Sequence, residues 1–573
     1  VSLLYKRGDC LEPSNYRPIC ITSVMLKTLT RLMNKRLETV VESNGFLNQN
    51  QFGFRKSHST TDAILIISAA IDKAKMDGMD AGLTSIDLRA AYDMVCRTTM
   101  FKKLRTLGIN GTFLAIIEDY YTNDSVVYAV NDGTTKPLYM TQGVKQGCNL
   151  SPMLFNLFLV DVIQEIHDLK LGIKLGEEII SIISYADDLV LLVRKIEDLQ
   201  PVIDALTLAC SRINMSVNKS KSKIIRIGKP VNTFNNDKEH FDFDQVLACK
   251  YLGVIVQNKT GTYFNDFAQS CVKKARNCRF SIIQKAKESW NVKHVARELW
   301  NKCAVPTILY GSEVIPIRKQ ELNKLNSEAA SLGKFILQLP KNTTNITAFI
   351  MSGIDTIEYH YYKRVLGYKY RMEKMDNTMK VKRIYNFIMS SEKPFGYKTN
   401  LLNIEKKVSK KGLDQWYVDM INDQKSIHPS SCWLLPKKQY PGDINNWLSE
   451  SYDDTSRIVA EFMTMNAGLG NRGPVKTFQQ HKLCQLCIYK NQAKKLNEIH
   501  VLFGCEQLKK MYDKYGITRF AHKINSTDPV HLYRKFWSGK FTSEQIAEKV
   551  NIADSIRHIY LTAMKGILRG NDG

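Results

Sequence analysis

Along the first half of the chain, hydrophobic positions switch between a helical and a strand period. Leu26, Leu29, Leu32 (or Met33) and Leu37 recur at three- and four-residue spacing and predict an amphipathic helix from about Ser23 to Val41. The apolar, β-branched run from Gly82 to Asp87 predicts a strand that turns into Ala90, Ala91 and Tyr92. Two short helices follow, split by Gly108 and Gly111, and Asn131-Asp132-Gly133 between 125–130 and 138–143 signals a hairpin. Ser151-Pro152 predicts an N-cap and first-turn proline for a helix running to about His167. From Ile179 to Val193 two apolar strands join across a polar centre, Tyr185-Ala186-Asp187-Asp188. A helix from Ile196 to Ile213 and two strands, near Ser222–Ile227 and Lys250–Val256, complete the mixed region. Beyond residue 259 the pattern is mostly helical, without internal repeats, and Lys406 to Lys411 reads as a solvated helix end.

At 573 residues the chain is long enough for several domains, and a hydrophobic content of 44% excludes wholesale disorder. The longest apolar run, Ala63 to Ile71, is too short to span a membrane, and the opening Val-Ser-Leu-Leu-Tyr is no secretory leader. Thirteen cysteines, an odd number scattered through a basic chain, do not form a disulfide framework. A soluble intracellular protein with no membrane partner is expected. The net charge of +25 suits a binder of polyphosphate, since each neutralised phosphate releases condensed counterions. Charge alone fits a merely basic protein equally well.

Chemistry enters with the carboxylates. Asp187 and Asp188 interrupt an apolar strand pair, a costly placement unless something offsets their charge. Asp87 ends a similar strand. If those strands are neighbours, three carboxylates meet at one sheet edge. They could hold two Mg²⁺ about 3.5–4 Å apart, as in two-metal displacement at a primer 3′-hydroxyl.

The residues carry a resemblance. Tyr185-Ala186-Asp187-Asp188 resembles the catalytic box of reverse transcriptases, in the form found in non-LTR (LINE-type) retrotransposons. In the family's order along the chain, Asn15-Tyr16-Arg17-Pro18-Ile19 resembles the first fingers block, and Gln51-Phe52-Gly53-Phe54-Arg55 the second. Ile86-Asp87-Leu88-Arg89-Ala90-Ala91-Tyr92-Asp93 resembles the first catalytic block. The stretch from Gln142 to Pro152 resembles the template and nucleotide pocket, Asn218 with Lys221-Ser222 the lysine block, and Lys250-Tyr251-Leu252-Gly253 the primer grip.

The resemblance implies roles. Asp87, Asp187 and Asp188 would be the Mg²⁺ ligands, and Tyr92 would exclude a ribose 2′-hydroxyl unless it is an ordinary core tyrosine. Gln146 and Gly147 would approach the template base and the incoming nucleotide, and Tyr251, Leu252 and Gly253 would hold the primer. Lys221 would act as general acid toward pyrophosphate or as an electrostatic clamp. Arg17 and Arg55 would reach the triphosphate, or pair with a nearby carboxylate instead. Asn149 departs from the family, which usually has proline there; the departure bears on a turn rather than on chemistry.

Cations at Lys273, Lys274, Arg276, Arg279, Lys285, Lys287, Lys293 and Arg297, interleaved with Val272, Phe280, Ile283, Trp290 and Leu299, predict a basic amphipathic thumb. Further on, Cys484-x2-Cys487-x12-His500-x4-Cys505 offers four soft ligands at spacings that close one structural Zn²⁺ site, and it too resembles the C-terminal knuckle of non-LTR elements.

The expected fold is α+β, a right-hand polymerase: fingers over 1–84, an antiparallel-sheet palm over 85–258 and a helical thumb over 259–345. A helical linker (346–475), the zinc knuckle (476–512) and a helical tail (513–573) would follow. The expected function is RNA-directed DNA synthesis from dNTPs on an RNA template, with a DNA primer or nicked target DNA. The nucleus would be the site of action. No endonuclease pattern is present, so a separate or missing endonuclease is expected and the chain reads as truncated at its N-terminus. The alternatives are an inactive or domesticated remnant that only binds nucleic acid, and a group II intron maturase or telomerase.

Overall fold

The computed structural model describes residues 1–6, 8–122, 124–130, 133–228, 241–258, 264–289, 291–339, 341, 343–408 and 412–427, together with 552 and 555. Cys484, Cys487, His500 and Cys505, and with them the expected knuckle and all of the expected tail but 552 and 555, lie outside the described residues, as do Trp290 and the turn residues Asn131 and Asp132.

Two compact units are present. One comprises residues 1–267, 311–316 and 367–402; the other takes 268–310, 317–366 and the residues from 403 onward. The expected boundary at 84 falls inside the first unit, and part of the expected linker belongs to it.

At the centre of the first unit lies a five-stranded sheet. Its spatial order is Ile182–Tyr185, Asp188–Val193, Asp80–Asp87, Lys223–Gly228 and Asp244–Gln245. Every pairing is antiparallel except the last. The strand period of two sorts the side chains by face. Ile86, Ile182, Leu189, Leu191, Val193 and Ile224 join the main core with Met153, Leu154, Phe155, Ile163 and Leu206 from helices Ser151–Phe158, Val160–Asp168 and Leu199–Arg212.

Helix Thr60–Met76 lies against strand Lys223–Gly228 and also meets helix Lys380–Ser390. Covered from both sides, it is buried nearly all round from Asp62 to Ile71, which is why its sequence is apolar on every face. Among the described residues no helix is long and apolar enough to cross a membrane.

Several expected details shift. Helix Val24–Ser43 starts at Ser23 as predicted, but it buries Thr30, Met33, Leu37 and Val41, leaving Leu29 and Leu32 exposed. Ser151 is the first helical residue rather than the cap, and its hydroxyl pairs with that of Tyr121. The expected strand near 250–256 is two strands, Ala248–Tyr251 and Val254–Gln257, folded at Leu252-Gly253.

Among its described residues the second unit is built of helices joined by turns, without strands. Helix Asn265–Lys287 buries Cys271, Ala275, Ile282 and Ala286, while Phe280 stands exposed under the Arg279 guanidinium. Glu328 accepts from both Arg276 and Arg279.

Candidate active site

Register brings the predicted carboxylates to one rim. Asp188, the first residue of its strand, is the direct partner of Asp87, the last residue of the neighbouring strand. Directly opposed residues in an antiparallel pair put their side chains on one face, with Cα atoms roughly 4.5–5.5 Å apart. Asp187 belongs to the two-residue turn between Tyr185 and Asp188. Asp187 and Asp188 reach solvent, yet burial still pushes both up. Asp188 rises to about 6, with Asp187 and Asp87 adding to the effect of burial and Arg17 opposing it.

Two further stretches are tied to Asp87 and Asp188. The turn before strand Lys223–Gly228 is laced onto Asp87: its carbonyl accepts from Asn218 N at 2.7 Å and its N–H donates to Ser222 Oγ at 3.2 Å. Lys221 Nζ thereby stands 3.8 Å from Asp87 Oδ2. On the other side, the Tyr251 hydroxyl donates to the Asp188 carbonyl at 3.5 Å, so the 248–257 hairpin adjoins the carboxylates. Leu252 and Gly253 form its tip, with φ of 43° and 80°.

Tyr92, Gln146 and Gly147, which the resemblance assigns to the nucleotide, lie near one another too. Tyr92 follows the turn after Asp87, and its ring stacks on Phe155 at 4.8 Å and 16°. Gln146 donates to Asp93 at 3.3 Å, and its carbonyl accepts from Cys20 N at 2.7 Å. Gly147 has φ of 101°, and a Cβ there would stand 2.9 Å from the Cys20 carbonyl oxygen, so only glycine fits. Asn149, the departure from the family, donates to the Lys27 carbonyl at 3.1 Å.

Arg55 is a correction. Its guanidinium donates to both Glu42 oxygens and to the carbonyls of Asn48 and Gln51, which engages four of its five N–H groups. With its side chain 6% exposed, it locks its own loop and offers no face to a triphosphate. Of the two open pairings, Arg55 takes the carboxylate, whereas Arg17 contributes its field to Asp187 and Asp188.

The donor set suits a hard divalent cation: carboxylate oxygens of like charge, with Asp87 raising the cost of ionising Asp187 and both raising that of Asp188. The three are not gathered into a closed cage, and among the described residues no three His, Cys, Asp or Glu side chains are close enough to hold an ion as they stand. Like charges spread apart, and Asp87 leans on Lys221.

Sequence reasoning missed the support behind the hairpin. Gln51, Asn156 and Ser184 are fully buried polar side chains placed around its turn. Gln51 was visible as part of a motif block, and Asn156 and Ser184 as polar residues inside otherwise apolar runs, but neither signal shows what they hold.

Residues 5–256 match the family described as reverse transcriptase (RNA-dependent DNA polymerase). The chain is 29% identical over 353 residues to the retrovirus-related Pol polyprotein from type-1 retrotransposable element R2 of Popillia japonica, covering 60% of this chain and 48% of that protein. To the probable RNA-directed DNA polymerase from transposon BS of Drosophila melanogaster it is 24% identical, covering 65% of this chain and 42% of that protein. The chain thus spans about half the length of these relatives or less. The solved structure of apo telomerase from Candida tropicalis aligns over 70% of this chain and 58% of that chain, at 10% identity and a TM-score of 0.33. Every residue of the carboxylate rim lies inside the stretch, residues 5–256, that matches the reverse transcriptase family.

Proposed function

We propose that the chain is an RNA-directed DNA polymerase of a LINE-type retrotransposon, adding dNTPs to a primer 3′-hydroxyl. The observation that carries the reading is the register pairing of Asp87 with Asp188 beside the Asp187 turn, inside the matched domain. In this reading the five-stranded sheet is the palm, the N-terminal stretch the fingers and the basic helices after 265 the thumb.

Asp87, Asp187 and Asp188 would hold Mg²⁺, after side-chain rotation inward. When bound, the metal supplies Lewis-acid activation of the 3′-hydroxyl and neutralises charge on the departing pyrophosphate. Catalysis is then positioning and charge stabilisation. Tyr251, Leu252 and Gly253 hold the primer end next to Asp188. Gln146 and Gly147 present backbone and amide to the base pair, and Tyr92 closes the space a 2′-hydroxyl would need. Lys221 delivers positive charge, or a proton, to the pyrophosphate, and Arg17 faces the triphosphate. RNA template, primer DNA and dNTPs are the partners.

Primer extension on a primed RNA template tests this. Extension should require Mg²⁺, and Asp187→Ala should abolish it while leaving template binding intact; full extension by that variant would defeat the metal assignment. Tyr92→Val in the same assay should admit ribonucleotides. Template binding without extension, in Mg²⁺ or Mn²⁺, would instead favour the binding-only remnant.

The spacing of Cys484, Cys487, His500 and Cys505 supports a structural zinc site with no open position. Purified full-length chain should release one Zn²⁺ on thiol modification, read with a chromogenic chelator, and Cys487→Ser should lower that yield. Zinc-free, folded protein would end this part of the reading.

A further inference from the structure

The turn that carries Asp187 is held from behind by buried side chains of other segments. Ala186 opens that turn with φ of 58°, a left-handed conformation unfavourable for a residue with a Cβ. Its N–H donates to Gln51 Oε1 at 3.2 Å, and its carbonyl accepts from Ser184 Oγ at 3.1 Å. Gln51 Oε1 also accepts from Gly53 N at 3.0 Å. The segment containing them runs alongside the hairpin as a short parallel bridge: Ser184 N donates to the Asn50 carbonyl at 2.9 Å, and Phe52 N to the Ser184 carbonyl at 2.8 Å.

Gly53 closes the contact. A Cβ there would stand 2.5 Å from Ala186 N and 2.9 Å from the Tyr185 carbonyl carbon, both backbone atoms that cannot yield. Behind it, Asn156 Nδ2 donates to the Gly53 carbonyl at 2.7 Å. Gln51 is 0% exposed, and its Nε2 has no hydrogen-bond partner. An unpaired buried amide group is destabilising, so a residue needed only to fill space would be better served by leucine or methionine.

We propose that Gln51, with Gly53 and Ser184, is a positioning element for the carboxylate hairpin. Its acceptor fixes the Ala186 peptide and thereby aims Asp187 and Asp188 at the rim. The proposal rests on the polymerase reading for its kinetic consequence, but not for its structural one. Gln51 itself touches neither substrate nor metal; it acts through the Ala186 backbone.

The test uses the full chain and three variants. Gln51→Met fills the space without a strong acceptor, Gln51→Glu keeps an acceptor at the same reach, and Ser184→Ala removes the second hold with little change in volume. Supporting outcomes are faster amide exchange across 182–190 in Gln51→Met and Ser184→Ala, and weaker Mn²⁺ binding by electron paramagnetic resonance. In primer extension, kcat should fall roughly 10–100-fold, as for residues that orient metal ligands, with KM for dNTP and affinity for primed template unchanged. Gln51→Glu should recover the hairpin's exchange protection only at low pH, where its buried carboxyl is neutral, since an ionised carboxylate there has no partner.

Unchanged exchange at the hairpin in both loss variants would overturn the proposal. So would a kcat loss that disappears when corrected for the folded fraction measured by thermal melting. If the wild-type chain extends no primer, the polymerase reading fails, while exchange and Mn²⁺ binding still decide whether the element exists.

Discussion

Arg17 and Arg55 look alike along the chain and differ in space. Arg55 is sealed against Glu42 and two carbonyls, whereas Arg17 stays exposed with its field reaching the carboxylates. Removing one partner of an enclosed ion pair strands the other, so Arg55→Ala should cost about 2–3 kcal/mol of stability. The dNTP KM of its folded fraction should not change. Arg17→Ala should do the reverse, raising KM about tenfold, the worth of one charge-assisted hydrogen bond, with little change in melting temperature. Urea melts paired with steady-state kinetics check both, and a KM rise confined to Arg55→Ala would reverse the assignment. Both arginines are readable as cations from sequence, but which one meets a carboxylate first is settled by the loop at 48–51 folding over the guanidinium.

Among elements, helix Thr60–Met76 shows how a local pattern takes its meaning from what surrounds it. Its apolar run is too short for a membrane and too uniform for a surface helix, and the fold resolves this by covering it on opposite sides. Asp72 bears a cost of that burial. Its carboxyl is pushed by burial from an ordinary 3.8 to about 6, with the Gly396 N–H, donating at 2.8 Å, pulling the other way. The folded chain therefore binds the proton more tightly than the unfolded one. Stability from this group is fully present below about pH 3.8 and is lost as pH rises through about 6. Asp72→Asn keeps an acceptor for Gly396 and removes the buried charge. It should stabilise the protein by about 1–2 kcal/mol at neutral pH, with the gain vanishing as the pH falls toward 4. Denaturation curves across that range check it; a gain independent of pH would point to packing instead.

At the scale of the whole molecule, the first unit extends past the matched domain by recruiting residues 311–316 and 367–402. The recruited segment is bonded in. Asp62, fully buried at the start of helix Thr60–Met76, accepts from Ser59 N at 2.8 Å, Tyr368 Oη at 2.9 Å and the Arg371 guanidinium. Lys380 Nζ donates to Asn50 Oδ1 at 2.7 Å, next to the segment that braces the carboxylate hairpin. Arg371→Ala should therefore destabilise the first unit by about 3 kcal/mol although it lies more than a hundred residues beyond the matched stretch. Limited proteolysis of the full chain should then show faster cleavage within residues 1–256, and a variant as resistant as wild type would show that the contact adds nothing.

The sequence by itself determined where the strands carrying Asp87, Asp187 and Asp188 and their flanking helices fall, the order of the motif blocks and the candidate carboxylates, because periodicity and residue type are local properties. It also carried the helix at Ser23 and the interrupted strand pair around Asp187. Tertiary structure decided the register that sets Asp87 against Asp188, the inward turn of Arg55, the split of 248–257 into a hairpin and the return of 367–402 to the first unit. Each of these depends on which distant backbone groups find one another. Gln51 joins the two levels: its position was visible in a motif, but its reach to the Ala186 amide exists only once strand and loop lie side by side.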